Sequence, residues 1–283
     1  MYAPPTSAVG RHNLAASYAY CERLARQQAG NFYFAFRLLP ADQRRALCAL
    51  YSFMRVADDL TDEAGRVADK CQALETWRRQ LREALTGDYS HPVQPALHHA
   101  VERYRIPVAY LESVLDGVGM DLDTMRYETF ADLYSYCYRV ASAVGLACIH
   151  VWGFQGERAE SFAESAGIAF QLTNILRDLA EDAARGRVYL PREDLVRFGY
   201  SEDQLRQGAR GERFAEMMSF QVARANGYYD AALPLAECLR PAGRAVFLVM
   251  LRTYRGLLDE IVRRDYDVFS TRVRLSRLHK LWL

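Results

Sequence analysis

Two short acidic clusters set the terms on which this chain can fold: Asp58-Asp59-Leu60-Thr61-Asp62, and Asn174-Ile175-Leu176-Arg177-Asp178-Leu179-Ala180-Glu181-Asp182. Each lies in a segment whose apolar residues recur at helical spacing. At about 3.6 residues per turn, Asp58 and Asp62 share one helix face with Asp59 beside them, and Asn174, Asp178 and Asp182 step up one face. Carboxylates one turn apart repel by roughly 0.2–0.5 kcal/mol per pair on an isolated helix. Two such arrays brought face to face require cations between them. Mg²⁺ suits the arrangement, because it takes oxygen ligands, keeps several waters and shares the rest of its shell with substrate phosphates.

A single Asp-rich helix end is ordinarily a solvated face or a charge that complements the helix dipole. That account fits this pair poorly. Asp58–Asp62 comes late in its helical stretch, where the dipole disfavours negative charge. The second cluster follows the apolar run Ala166-Gly167-Ile168-Ala169-Phe170, which has a buried pattern.

The rest of the chain reads as helices and turns, with no period-two strands. Pro40 is placed to open a helix through the first cluster, with Leu47, Leu50, Tyr51 and Met54 on its apolar face. Further helical stretches run near 68–86, 92–103, 107–118, 129–152 and 158–184. Gly186-Arg187-Val188-Tyr189-Leu190-Pro191 interrupts the pattern. A short helix follows Pro191, and Ser201-Glu202-Asp203-Gln204 is a capping box. Long helices near 212–238 and 240–264 complete the body. No linker, repeat or change in composition divides it. The expectation is one all-α domain over 1–283, a helical bundle with a central cavity, residues 1–12 being a flexible extension.

With 283 residues, 51% of them hydrophobic, the chain has ample core for one domain. A net charge of +1 gives no reason to expect nucleic acid. Only Lys70 and Lys280 are lysines, so 34 of the 36 basic residues are arginines. The six cysteines show no C-x-x-C spacing and read as small hydrophobes in a reducing cytosol. The N-terminus lacks a signal-peptide pattern, and no apolar run is long enough to span a bilayer. The expectation is a cytoplasmic protein.

Several segments resemble the squalene/phytoene synthase family. They are Phe36-Arg37-Leu38-Leu39-Pro40, Arg55 through Asp62, Tyr136-Cys137-Tyr138-Arg139-Val140-Ala141-Ser142-Ala143-Val144-Gly145, Gln171 through Asp182, and Gly186 through Pro191. The resemblance covers roughly residues 15–283, in order. It implies the class I isoprenoid synthase fold and the Mg²⁺-dependent head-to-head joining of two prenyl diphosphates. The implied ligands of two or three Mg²⁺ ions are Asp58, Asp62, Asn174, Asp178 and Asp182, with Asp59 supporting them. Arg55 and Arg177 are implied diphosphate contacts, since a guanidinium offers a planar donor fork. A local ion pair is the alternative for each. Tyr136 is expected near the reacting carbons, orienting diphosphate or assisting proton removal. Gln171 is a further polar contact, and Tyr189, Tyr254 and Arg272 align with diphosphate-binding positions.

A dry tunnel for the prenyl chains is expected along Phe32, Phe36, Val140 and Gly145, although ordinary core packing is the simpler account of any one of them. One departure stands out. Several family members carry a basic residue in the stretch that here reads Gln27-Gln28-Ala29-Gly30-Asn31-Phe32, which leaves Asn31, backbone donors or arginines elsewhere to hold the second diphosphate.

The tail Arg272–Leu283 resembles that of bacterial presqualene diphosphate synthases more than that of plant-type phytoene synthases. The expected reaction therefore takes two farnesyl diphosphates to presqualene diphosphate, and on to squalene if NADPH is used. The alternatives are a phytoene synthase acting on geranylgeranyl diphosphate, or a non-catalytic assembly factor on the same fold. The tail's mix of Leu275, Leu278, Leu281 and Trp282 with basic residues also suits peripheral membrane contact, or a last helix docked on the bundle. Head-to-tail elongators carry two DDxxD motifs and terpene cyclases an Asn-Ser/Thr-Glu motif; Asn174 with Asp178 and Asp182 fits neither. A di-iron bundle is excluded by the absence of any Glu-x-x-His.

Overall fold

The computed structural model describes residues 8–29, 31–62, 65–123 and 126–274, with the side chains of 8–13, 31, 32, 34 and 62 excepted. Among these residues all extended regular structure is helical. The N-terminal half comprises α1 (Ala8–Gln28), α2 (Asn31–Phe36), α3 (Ala41–Asp62), α4 (Val67–Ala84), α5 (Gln94–Tyr104), α6 (Val108–Asp123) and α7 (Phe130–Cys137). A π-helical turn, Tyr138–Ser142, leads into α8 (Ala143–Trp152), followed by α9 (Ala159–Arg177) and α10 (Leu179–Ala184). Then come α11 (Arg192–Arg197), α12 (Glu202–Arg206), α13 (Glu212–Ala232), α14 (Leu235–Cys238) and α15 (Pro241–Arg263). The all-α expectation holds. Helix α1 begins at Ala8.

Helices α3 and α9 organise the bundle. α3 starts where the Arg44 amide bonds to the Pro40 carbonyl at 2.9 Å, and it buries Leu47, Leu50, Phe53 and Ala57 at helical spacing. It packs against α1, α4, α5, α6 and α8. α9 is apolar on most of its circumference and packs against α8, α13, α15 and the π-turn. The first acidic cluster lies at the C-terminal end of α3, and the second runs from the end of α9 into α10. At the end of α3, the Lys70 ammonium donates to the Thr61 carbonyl at 2.7 Å, offsetting the dipole that opposes three aspartates there.

The stretch expected as one helix over 129–152 is instead interrupted by the π-turn, in which the Ala143 amide bonds five residues back to Tyr138. Two glycines let neighbouring helices close on this turn. A Cβ at Gly117 would lie 2.7 Å from Val140 Cγ1, and one at Gly167 would lie 2.4 Å from Ser142 Cα. The Ser142 hydroxyl completes the contact by donating to the Glu164 carbonyl at 2.7 Å. Gly167→Ala is therefore expected to cost about 1–3 kcal/mol through overpacking, seen as a lower urea midpoint at unchanged slope.

The helix expected over 158–184 breaks at Asp178, whose φ of −102° and ψ of 12° leave the helical range. The four-residue rhythm survives the break. The Asp178 amide bonds to the Asn174 carbonyl and the Asp182 amide to the Asp178 carbonyl, both at 2.9 Å. Similarly, the long helix expected to 238 divides at Leu233–Pro234 into α13 and α14. The predicted capping box opens α12 as Ser201 and Gln204 exchange hydrogen bonds.

Residues 126–128 run beside 186–193 in a short ladder. Arg126 and Val188 form a parallel bridge. The Arg192 amide bonds to the Tyr127 carbonyl at 2.9 Å and the Glu193 amide to the Glu128 carbonyl at 3.1 Å. Gly186, at φ +77°, supplies the left-handed turn that leads into it. Among the described residues no helix is long and apolar enough to cross a membrane, and all six cysteines are free thiols. The tail residues 275–283, and with them the membrane-contact expectation, lie outside the described residues.

Candidate active site

A cavity of about 440 Å³ lies between α3, α6, the α7–α8 arm, α9 and α15. Its wall is mostly apolar. Asp58 from the first acidic cluster and Asn174 from the second both line it, so the two motifs do face one another. Asp121, Tyr136, Gln171 and Tyr254 are the other polar groups of the site on this wall, together with Tyr51. The Asp62 side chain lies outside the described residues.

Arginines attend the carboxylates around the cavity. Arg55 pairs with Asp59 one turn later on α3. Arg177 Nε donates to Asp178 Oδ1 at 2.8 Å. Arg272, reaching in from beyond α15, pairs with Asp178 at 3.1 Å and with Glu181 at 3.4 Å. Asp182 keeps its charge less easily: burial, and then the neighbouring Asp178, push its carboxyl up to about 6. Among the described residues no three His, Cys, Asp or Glu side chains cluster closely enough to hold one metal ion. The donor set nevertheless suits Mg²⁺: it is all oxygen, comes from α3 on one side and from α9, Asp178 and α10 on the other, and carries negative charge that the local arginines leave partly uncompensated at Asp182.

The expected site residues fall into two groups around this wall. Asn174 Nδ2 donates to Gln171 Oε1 at 3.3 Å. Tyr254 hydrogen-bonds Asn174 and stacks on Phe170 at 4.6 Å between ring centres. Beyond Tyr254, Asn174 and Met250 lies a second cavity of about 340 Å³, whose wall includes Arg177 and Thr253.

Opposite them, Tyr136 and Tyr189 converge on a residue that the sequence reading missed. Tyr136 donates to Asp121 Oδ2 at 3.1 Å and Tyr189 to Asp121 Oδ1 at 2.8 Å. The two phenol rings stack at 5.2 Å. Burial first, and then the Asp121 charge, hold the Tyr136 hydroxyl well above its ordinary pKa. Arg187 donates to the Asp121 backbone carbonyl at 3.3 Å. The only sequence signal for Asp121 is a lone acid within the apolar stripe of α6, where a core-facing residue belongs.

Phe36, Val140 and Gly145 line the main cavity. The side chains of Asn31 and Phe32 lie outside the described residues. Gly145 is a cavity glycine and its smallness is not needed for packing, since a Cβ there would meet its nearest neighbour, the Ala163 carbonyl, at an ordinary 3.6 Å. Gly167, on the same wall, is the packing glycine.

A sequence profile described as squalene/phytoene synthase matches residues 25–279. A phytoene synthase of Arthrospira platensis is 37% identical over 278 residues, covering 94% of this chain and 90% of its own. A chloroplastic phytoene synthase 2 of Solanum lycopersicum is 36% identical over 274 residues, covering 95% and 88%. Among solved structures, a dehydrosqualene synthase in complex with ligand superposes with a TM-score of 0.87 at 29% identity, over 96% of this chain and 95% of its own. The squalene synthase HpnC from Alicyclobacillus acidocaldarius gives 0.85 at 25% identity, over 92% and 97%.

Proposed function

This chain belongs to the squalene/phytoene synthase family, and we propose that it joins two geranylgeranyl diphosphates head to head in the main cavity, a phytoene synthase-type reaction. The observation that carries the head-to-head reading is that Asp58 and Asn174 both line one largely apolar cavity. The C20 substrate is supported by full-length relatives at 34–37% identity that are named phytoene synthases. Farnesyl diphosphate is the second reading. It is favoured by structural neighbours named dehydrosqualene synthase and squalene synthase, and by the character of the C-terminal tail. NADPH belongs to that second reading alone, where squalene is the end product.

Asp58, Asp62, Asn174, Asp178 and Asp182 would hold Mg²⁺, which when bound neutralises the departing diphosphate as a Lewis acid. The chain's own groups do the rest. Arg177 and Arg272 already converge on Asp178 and present planar forks to diphosphate oxygens beside it, with Arg55 serving the first motif. Loss of diphosphate from one substrate leaves an allylic cation. The C2–C3 double bond of the second substrate attacks it, and the departed diphosphate takes the proton lost as a cyclopropane closes. Departure of the second diphosphate, rearrangement of the resulting cation and loss of one more proton give phytoene. The apolar wall keeps water from the cation. The Tyr136 hydroxyl, oriented by Asp121 and held protonated at neutral pH by burial, serves there as a neutral donor and not as a phenolate base.

The test supplies purified protein and Mg²⁺ with labelled geranylgeranyl or farnesyl diphosphate, with and without NADPH, and identifies products before and after phosphatase treatment. Phytoene from the C20 substrate supports the first reading. Presqualene alcohol after phosphatase, or squalene with NADPH, moves the assignment to C15. No product from either substrate with folded protein defeats the enzymatic reading. Cavity length is testable in the same assay. Gly145→Leu is expected to stay within about 1 kcal/mol of wild-type stability while cutting turnover of the C20 substrate more than that of the C15 substrate. Equal losses on both would show that Gly145 does not face the chain.

A further inference from the structure

Two helices measure the main cavity from end to end. On α3, Gln43, Leu47, Leu50, Met54 and Asp58 recur at steps of three or four and share one face, and all but Gln43 line the cavity. On α15, Gly243, Phe247, Met250 and Tyr254 do the same, and all but Gly243 line it. Both faces begin at the same place. Gln43 Nε2 donates to the Val151 carbonyl at 2.9 Å and to the Trp152 carbonyl at 3.5 Å. A Cβ at Gly243 would fall 2.4 Å from Trp152 Cβ, so only a glycine lets α15 close on this residue. At 1.5 Å per residue, Asp58 lies about 22 Å along α3 from Gln43, and Tyr254 about 17 Å along α15 from Gly243. Asp58 belongs to the first acidic cluster, and Tyr254 hydrogen-bonds Asn174 of the second. Trp152, the last residue of α8, therefore stands at the end of the cavity remote from both clusters.

Trp152 lines the cavity and is 4% exposed. Its backbone is held from two sides, by Gln43 and by the Arg240 amide, which bonds to the neighbouring Gly153 carbonyl at 3.0 Å. Its indole Nε1 is buried and has no acceptor in the protein. An unpaired buried donor is a cost, so a hydrogen bond does not account for a tryptophan here, and the size of the ring does. Around it the wall is apolar, with Leu47, Ile149 and Phe247 each about one turn away on its own helix. A substrate held by its diphosphate at the acidic end has to run its chain toward this ring.

We infer that Trp152 is the specificity-determining residue for prenyl chain length: its indole stops the chain that is anchored at the acidic end, and a smaller side chain there admits one more isoprene unit. The inference rests on the prenyl diphosphate reading given above and deepens it, by naming the group that selects among homologous substrates.

The experiment compares the full-length wild type, Trp152→Leu and Trp152→Phe with Mg²⁺ on farnesyl, geranylgeranyl and geranylfarnesyl diphosphate, each supplied alone. The readout is kcat/KM for the homologue one isoprene unit longer than the best wild-type substrate, divided by kcat/KM for that best substrate. Trp152→Leu is expected to raise this ratio by roughly tenfold or more, the scale on which an apolar pocket discriminates chain length. Trp152→Phe, which keeps an aromatic ring and removes the unpaired N–H, is expected to raise it by less and to melt close to the wild type. An unchanged ratio in folded Trp152→Leu overturns the proposal, and so does an equal fall on every chain length, the mark of a ring that only packs. If Trp152→Leu does not fold, an unchanged ratio in Trp152→Phe overturns it instead. A wild type inactive on all three diphosphates would remove the functional reading and this inference with it; an active wild type confines any failure to Trp152.

Discussion

Replacing Asp178 with asparagine is expected to lower kcat/KM by about a thousandfold, the largest loss of any single side chain in the site. Lewis-acid stabilisation of a leaving phosphate is worth several kcal/mol, and each 1.36 kcal/mol is about tenfold in rate. Asp178 stands where α9 gives way to α10 and where Arg177 and Arg272 converge. The amide keeps the shape of the side chain and removes its charge. Arg177, with a side chain only 18% exposed, would lose its counterion. A stability loss of about 1.5–3 kcal/mol should accompany the kinetic defect. A second readout separates the two effects. Mg²⁺ with inorganic pyrophosphate should raise the melting temperature of the wild type and leave that of Asp178→Asn unmoved. A variant that still shifts and still turns over at the wild-type rate would show that Asp178 serves only to pair its arginines.

Asp121→Asn is expected to reduce kcat by about 10²–10³-fold, the range seen when a preorganised polar group is removed from a reacting centre. Asp121 accepts from Tyr136 and Tyr189 at once, one phenol on each oxygen. An asparagine offers one acceptor oxygen and one donor NH₂, so one phenol must reverse its role or lose its partner. If Tyr136 reverses, its proton points away from Asp121 and its orientation toward the cavity is lost. Binding of the diphosphates should be affected much less, because none of the arginine contacts described above involves the Asp121 carboxylate. KM should therefore stay within a few-fold while kcat falls. Stopped-flow measurement of a single turnover would check that chemistry, and not product release, has slowed. A KM effect with kcat intact would place Asp121 in substrate binding.

The contrast between these two aspartates shows what spacing can and cannot reveal. Asp178 has Asn174 and Asp182 four residues to either side, and such a ladder is costly enough on a helix to announce a purpose. Asp121 has no acidic neighbour one turn away. Its partners lie 15 and 68 residues along the chain, and only the tertiary fold brings them together. The helical period predicted the elements well, because α3, α4, α5, α13 and α15 bury regular apolar faces. It failed where the backbone departs from that period for reasons of packing. The π-turn at Tyr138–Ser142 follows from the close approach of α6 and α9 at Gly117 and Gly167, which no local pattern within 129–152 encodes. The break at Asp178 is likewise invisible to a spacing argument, since hydrogen bonds on both sides preserve the four-residue step. Helix α1 was not among the stretches read from the sequence, and its first residues, 8–12, Ala-Val-Gly-Arg-His, hold too few apolar positions to show a stripe.

The ladder between 126–128 and 186–193 closes the chain on itself across some sixty residues. Arg126 reaches the Gly186 carbonyl at 2.7 Å, and the first two amides of α11 bond across to Tyr127 and Glu128. The opening amides of so short a helix would ordinarily exchange with solvent hydrogen almost freely. Here they are the knot of a noose. Everything strung between its ends, from α7 through α10, carries Tyr136, Gly145, Asn174 and Asp178. Slow deuterium uptake at Arg192 and Glu193, matching that of α9, would mean that this whole wall of the cavity breathes as one cooperative unit, so a substrate entering past it waits on the loosening of a single knot.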